Sequence, residues 1–174
     1  MFPLSVTLTV LLLLETLPSA HSRGALVTAN RFQAEGAEVI TGGGRPPGEA
    51  LRRGCYVEPT LVSVRPGQSL WREEVFGPVV AVCPAAGFDE AVDLANDCAY
   101  GLSAAVFTTR LRRAYEFIDR AEAGQVSVNL PTSGWDVHHP FGGFRDSGSP
   151  FKEQRSPGLR FYTRLKTAAI RFTW

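Results

Sequence analysis

From Gly24 onward the apolar positions alternate between short continuous runs and periodic stripes. Val79 to Cys83 is an unbroken, valine-rich run, the pattern of a strand buried on both faces. Asp89 and Glu90 then put acid in the first turn of a predicted helix that carries Ala91, Leu94, Ala95 and Cys98 on one face. Ala104 to Phe107 predicts a second buried strand. After it, Leu111, Ala114, Tyr115, Ile118 and Ala121 recur at helical spacing, stopped by Gly124. Val126 to Val128 closes the series as a third strand. Strand, helix, strand, helix, strand in this order predicts an α/β fold with a parallel βαβαβ core.

The flanks are less regular. Ala25, Leu26, Ala29, Phe32 and Ala34 have near-helical spacing ahead of Gly36, and Val39-Ile40 reads as a short strand. Gly42-Gly43-Gly44 has no Lys-Ser/Thr after it, so it reads as a flexible connector rather than a phosphate cradle. The stretch from Leu130 to Gly158, rich in Gly, Pro and Ser, is too long for a bare connector and is expected to line a site. Phe161 to Ile170 predicts a C-terminal strand whose edges need covering, by this chain or another. There is no internal repeat.

The start differs in texture. Leu4 to Leu14 is apolar apart from Ser5, Thr7 and Thr9, and Ala20-His21-Ser22 offers small residues suited to signal peptidase. The run lacks a basic leader, is interrupted by Glu15, and falls short of the roughly 20 apolar residues a membrane span needs. Two readings stay open, a signal peptide or an aberrant start that resembles one. The expected division is therefore 1–23, a signal-like or aberrant segment, and 24–174, a folded domain.

Composition narrows the partners. With 174 residues, 44% hydrophobic, 20% charged and a formal net charge of +1, the chain gives no electrostatic case for nucleic acid. Arg110, Arg112 and Arg113 are followed by Glu116, Asp119 and Glu122, the composition of a solvated helix face. The 3 cysteines are an odd, unpaired set, which points to a reducing compartment. A cytoplasmic location is the expectation, with secretion the alternative if the start is a true signal. No Cys/His metal spacing occurs, and His138-His139 reads as a loop pair.

One motif names a chemistry. Arg72-Glu73-Glu74-Val75-Phe76-Gly77-Pro78-Val79-Val80 closely resembles the signature that aldehyde dehydrogenases carry downstream of their catalytic cysteine. The resemblance extends to Gly54 through Leu61, to Asn96 through Ala104 with Cys98 where threonine is usual, to Asn129, and to Pro140 through Gly148. These segments arrive in family order from about Ala25 to Trp174. Glu153-Gln154, Phe161-Tyr162-Thr163 and Lys166-Thr167 are most similar to the semialdehyde branch, with Arg155 standing where that branch shows glycine.

The resemblance implies NAD(P)-dependent oxidation of an aldehyde to a carboxylic acid, in a partial catalytic domain ending in an oligomerisation strand. It implies that Glu74 and Phe76 hold the ribose and nicotinamide side of NAD or NADP. A carboxylate suits a ribose diol because both hydroxyls can donate to it. Phe76 has a competing reading as plain core packing. Phe141 and Trp135 would line the aldehyde entrance; otherwise they anchor a long loop. The chemistry also needs an activated thiolate and a base. The family's Asn-x-Gly-Gln-x-Cys and Glu-Leu-Gly-Gly contexts are not found in this sequence. Cys55, Cys83 and Cys98 have no histidine beside them in sequence and read as packing residues. No catalytic residue is expected in the chain. The alternative to a dehydrogenase is a catalytically silent protein that joins a homo-oligomer or full-length subunits through its last strand.

Overall fold

A computed structural model describes residues 5–8, 34–149 and 151–172. The chain divides into two units, one formed by residues 1–99 and 108–121, the other by residues 100–107 and 122–174.

The first unit is built on a four-stranded mixed sheet. Its strands are β1 (Ser5–Leu8), β2 (Glu38–Thr41), β3 (Thr60–Ser63) and β4 (Val79–Pro84), in the order β1-β4-β3-β2. β3 and β4 run parallel, Thr60 opposite Val79, while β1 and β2 join antiparallel on the outer edges. A single-turn helix, α1 (Glu49–Arg52), precedes β3; another, α2 (Ser69–Arg72), crosses between β3 and β4. Val62, Val64, Leu70, Trp71, Val79 and Ala81 bury a common core. The valine-rich run does form the strand, with alternate residues buried and half-buried.

Helix α3 (Phe88–Asn96) carries the acidic first turn read from the sequence. Its deepest residue is Val92, 1% exposed, which the expected face omitted; Leu94 packs against the core from the side. Helix α4 (Leu111–Arg120) departs further from expectation. Ala114 and Phe117 are buried, but Leu111 at 72% and Tyr115 at 61% are exposed. The apolar stripe is present and only its Ala114 side is covered. Gly124 is also not its stop, because the helix ends at Arg120 with Ala121 in extended geometry.

The second unit contains two small sheets: β6 (Ser103–Val106) parallel to β7 (Gln125–Val128), and β5 (Tyr100–Gly101) antiparallel to β8 (Phe144–Arg145). Helix α5 (Arg155–Tyr162) follows. Two sequence expectations change here. The continuous parallel βαβαβ core is not formed, since β4 and β6 are not neighbours. Both edges of β4 are already taken, by β1 and β3. The expected strand from Phe161 to Ile170 is also absent: Phe161 and Tyr162 complete α5, and residues 163–172 form no strand and are exposed. Ser103 to Val106 is half-buried rather than buried, and Phe107 lies outside the strand, exposed.

Ala34, helical, with Glu35 and Gly36, at φ 84°, are what can be seen of the expected first helix; residues 25–33 lie outside those described. Of the segment 1–23, Ser5–Leu8 is described, as β1. Arg155, the departure from the semialdehyde pattern, has φ 59°. That is the region where glycine is free of strain and an L side chain costs roughly 1–2 kcal/mol, so the branch's usual residue suits the backbone better than the one present.

Candidate functional site

The motif Glu73 to Gly77 bridges α2 and β4, and both of its ends are tied down. At the front, α2 is held at each end by a carboxylate from another part of the unit. Glu35 accepts from the Ser69 backbone N–H at 2.9 Å and from its hydroxyl at 2.6 Å. Asp97 accepts from the Trp71 indole N–H through both its carbonyl oxygen and its carboxylate, each at 3.0 Å, and pairs with Arg72 at 3.3 Å. At the rear, the Pro78 carbonyl accepts from the Thr60 N–H at 2.8 Å. Thr60 is itself fixed, its hydroxyl donating to the Glu58 carbonyl at 2.8 Å and accepting from the Gly43 N–H at 2.9 Å.

Between these anchors the side chains alternate, as an extended segment requires. Val75 and Gly77 are buried; Glu74 and Phe76 face outward. Phe76 is 55% exposed, which excludes plain core packing within the described residues. No hydrogen bond or ion pair among the described residues engages the Glu74 carboxylate. Glu73 is also exposed, at the C-terminal cap of α2. An exposed carboxylate two residues from a half-exposed aromatic ring is an arrangement that can receive a diol on one and a planar ring on the other.

Trp135 and Phe141 lie in the second unit. Trp135 is half-buried, donates its indole N–H to the Thr132 carbonyl at 3.0 Å, and meets His139 edge-on with ring centroids 5.9 Å apart. Those contacts anchor the loop. Phe141 is half-buried, and its carbonyl accepts from the Glu153 N–H at 2.8 Å. Beside it, the Lys152 ammonium donates to the carbonyls of Gly124, at 2.8 Å, and Gly142, and lies 5.5 Å from the Phe144 ring centroid. Burial pulls its pKa below the usual lysine value. Asn129 has φ 56° and its N–H donates to the Val106 carbonyl.

The backbone segments at Gly124 and Gly142 approach so closely that a Cβ on Gly124 would lie 2.8 Å from the Gly142 carbonyl carbon. Gly124→Ala is therefore expected to cost about 1–3 kcal/mol, the usual range for overpacking. A urea melt will read it; an unchanged midpoint would mean that the crossing can open freely.

Cys83 is buried in β4, where desolvation and then Glu90 push its thiol pKa up. Cys55 is exposed and Cys98 half-buried. Among the described residues no cluster of three or more His, Cys, Asp or Glu could hold a metal ion. No helix among them is long and apolar enough to cross a membrane. The arginines of α4 are largely spent locally: Arg112 pairs with Glu116, Arg120 at the end of the helix with Asp89 and Asp93, and Arg113 lies over the Phe88 ring.

This geometry has counterparts. Residues 19–168 match the family model described as "Aldehyde dehydrogenase family". The chain belongs to the aldehyde dehydrogenase family. Among aldehyde dehydrogenase relatives, it is 50% identical to the alpha-ketoglutarate semialdehyde dehydrogenase of Haloferax volcanii over 137 residues, 78% of this chain and 28% of that protein. It is 41% identical to the chloroplastic betaine aldehyde dehydrogenase of Beta vulgaris over 135 residues, 77% of this chain and 26% of that one. The solved structure of HpcC from Thermus thermophilus matches with a TM-score of 0.80 at 33% identity, covering 89% of this chain and 32% of its own. Betaine aldehyde dehydrogenase from Staphylococcus aureus, solved in complex with NAD+, matches at 0.78 with 32% identity, covering 83% and 29%. The chain thus spans less than a third of the length of these proteins.

Sequence reasoning named Glu74 and Phe76 but passed over Trp71, Asp97 and Lys152. No one-dimensional signal joins Trp71 to Asp97, because their hydrogen bonds are made 26 residues apart. A tryptophan in a single polar turn was the hint available, since a buried indole N–H needs an acceptor.

Proposed function

We propose that this chain supplies the nicotinamide-ribose contacts of an NAD(P)-dependent aldehyde dehydrogenase, the class of enzyme that oxidises an aldehyde to a carboxylic acid. The observation that carries this reading is the outward pair Glu74 and Phe76 on a segment anchored at both ends. The residues fit the cofactor: the carboxylate is open to accept from both ribose hydroxyls, and the exposed ring can pack beside a nicotinamide. When bound, NAD or NADP would supply the hydride acceptor. The chain's own part is to bind and orient, with Glu74 fixing the ribose and Phe76 limiting movement of the ring above it. The loop from Trp135 to Phe141 is assigned to the aldehyde entrance, with Trp135 holding the loop and Phe141 on the motif. Similarity to a semialdehyde dehydrogenase supports a semialdehyde as the substrate class. In this reading the thiolate and base come from outside the 174 residues, and the working assembly is an oligomer.

Nicotinamide mononucleotide is the direct probe, since it carries the ribose and ring alone. Titrated into 15N-labelled chain, it is expected to shift the amides of Glu74 to Gly77. Glu74→Gln, which removes the charge from the acceptor, is expected to weaken binding about tenfold, equivalent to roughly 1.4 kcal/mol. Absence of any shift in that segment at on the order of 10 mM ligand would sink the reading.

A second reading is supported by the C-terminal segment, where Leu165 is 99% exposed and Ile170 and Phe172 are also exposed. It is a silent subunit that adds this segment to the sheet edge of full-length family enzymes. Size-exclusion chromatography of the chain with such an enzyme separates the two, co-elution favouring the second. Aldehyde turnover by the chain alone, lost on substitution of Cys55, Cys83 or Cys98, would refute the assignment of the nucleophile elsewhere.

A further inference from the structure

The direction in which Glu74 and Phe76 point is set by the residues that precede them. α2 is a single turn of four residues, too short to hold its own direction. Its last two residues, Trp71 and Arg72, lead directly into Glu73 to Phe76. Both are gripped by one residue. Asp97 takes the Trp71 indole N–H on its carbonyl and its carboxylate at 3.0 Å each, and takes Arg72 on the same carboxylate at 3.3 Å. Trp71 is 4% exposed, so if the carboxylate goes its N–H keeps only the Asp97 backbone carbonyl and gains no water in exchange. The arginine pair is 60% and 43% exposed and adds little by itself. The indole bond is therefore the effective one.

We infer that Asp97 is a positioning residue for the cofactor-contacting segment: through Trp71 it sets the direction in which Glu74 and Phe76 leave α2. As a statement about cofactor contact it rests on the proposed function. Asp97 lies just beyond α3, with its N–H donating to the Leu94 carbonyl at 3.2 Å. It transmits the position of that helix, anchored in the core by Val92, to the motif. Glu35 at the opposite end of α2 fixes where the turn begins, and Asp97 fixes where it points.

The test uses 15N relaxation on the full chain, wild type against Asp97→Ala and Asp97→Asn, with Asp93→Asn on the exposed side of α3 as control. Wild type is expected to give backbone order parameters of about 0.85 over Glu74 to Gly77. Asp97→Ala should drop them below about 0.6 while β3 and β4 stay rigid. Both variants keep the backbone carbonyl, but only Asp97→Asn keeps a side-chain oxygen for the indole, so it should recover most of the order; Asp93→Asn should leave the order of Glu74 to Gly77 unchanged. The Trp71 Nε1–H resonance should move in Asp97→Ala. In a Trp71→Phe background, Asp97→Ala should add little, because the two act as one unit. Nicotinamide mononucleotide affinity should fall about tenfold in Asp97→Ala.

Unchanged order at Glu74 to Gly77 in Asp97→Ala would overturn the inference. So would a uniform loss of order that includes β3 and β4, which would make Asp97 a stability element only. If Asp97→Ala does not fold, Asp97→Asn decides: loss of order confined to the segment supports the inference, and none refutes it. Local loss of order in Asp97→Ala, when the wild-type chain ignores the mononucleotide, supports the positioning role and overturns the proposed function.

Discussion

Trp71→Ala is expected to lower stability by about 3–5 kcal/mol, the range for removing a buried aromatic from a core. Trp71 is among the most buried side chains of the first unit and belongs to the same cluster as Val62, Val64 and Leu70. Its removal also takes the indole donor from Asp97, leaving the carboxylate only Arg72, and releases the front of the Glu73–Gly77 segment. A urea titration will show a midpoint lower by about 2 M, taking a slope near 2 kcal/mol per molar. Trp71→Phe keeps most of the apolar area and loses only the N–H, so it should cost about 1 kcal/mol or somewhat more. Equal losses for the two variants would show that the indole bond, and not packing, dominates.

Gly42→Ala is expected to cost roughly 3 kcal/mol from two separate sources. At φ 76° an L side chain carries about 1–2 kcal/mol of backbone strain. A Cβ there would also lie 2.9 Å from the Thr60 Cα and closer still to the Pro59 carbonyl, backbone atoms that cannot swing aside. Overpacking of that kind adds about 1–3 kcal/mol. The damage should reach the site, because Thr60 holds Pro78 and with it the rear of the cofactor motif. A fall in melting temperature of about 10 °C is the expected reading. A fall of less than about 3 °C would mean that the glycine loop moves away as a unit.

That second result also marks a place where sequence reading went astray. Three glycines in a row look like slack, yet Gly42 is where two stretches of backbone nearly touch. Gly124 is a similar case, read as a helix stop and found at a crossing with Gly142. Both functions of glycine leave the same letter in the sequence. Only the approach of a second segment tells them apart. The α4 stripe failed for a related reason. Periodicity states which residues share a face, and Leu111 and Tyr115 do, but burial depends on what is brought against that face.

What the sequence determined alone was the local and the ordered. Valine runs became strands, acid marked the start of α3, and the series of motifs identified the aldehyde dehydrogenase family and singled out Glu74 and Phe76. These follow from near-neighbour preferences and from matching residue by residue. The tertiary structure decided sheet order, with β4 between β1 and β3 and β6 paired with β7 in a sheet of its own. It also decided that Glu74 and Phe76 face outward from a segment held by Asp97 and Thr60. Such clamps are made between residues far apart along the chain, and their energy comes from burying an indole and pairing its N–H, which no pattern within one segment encodes.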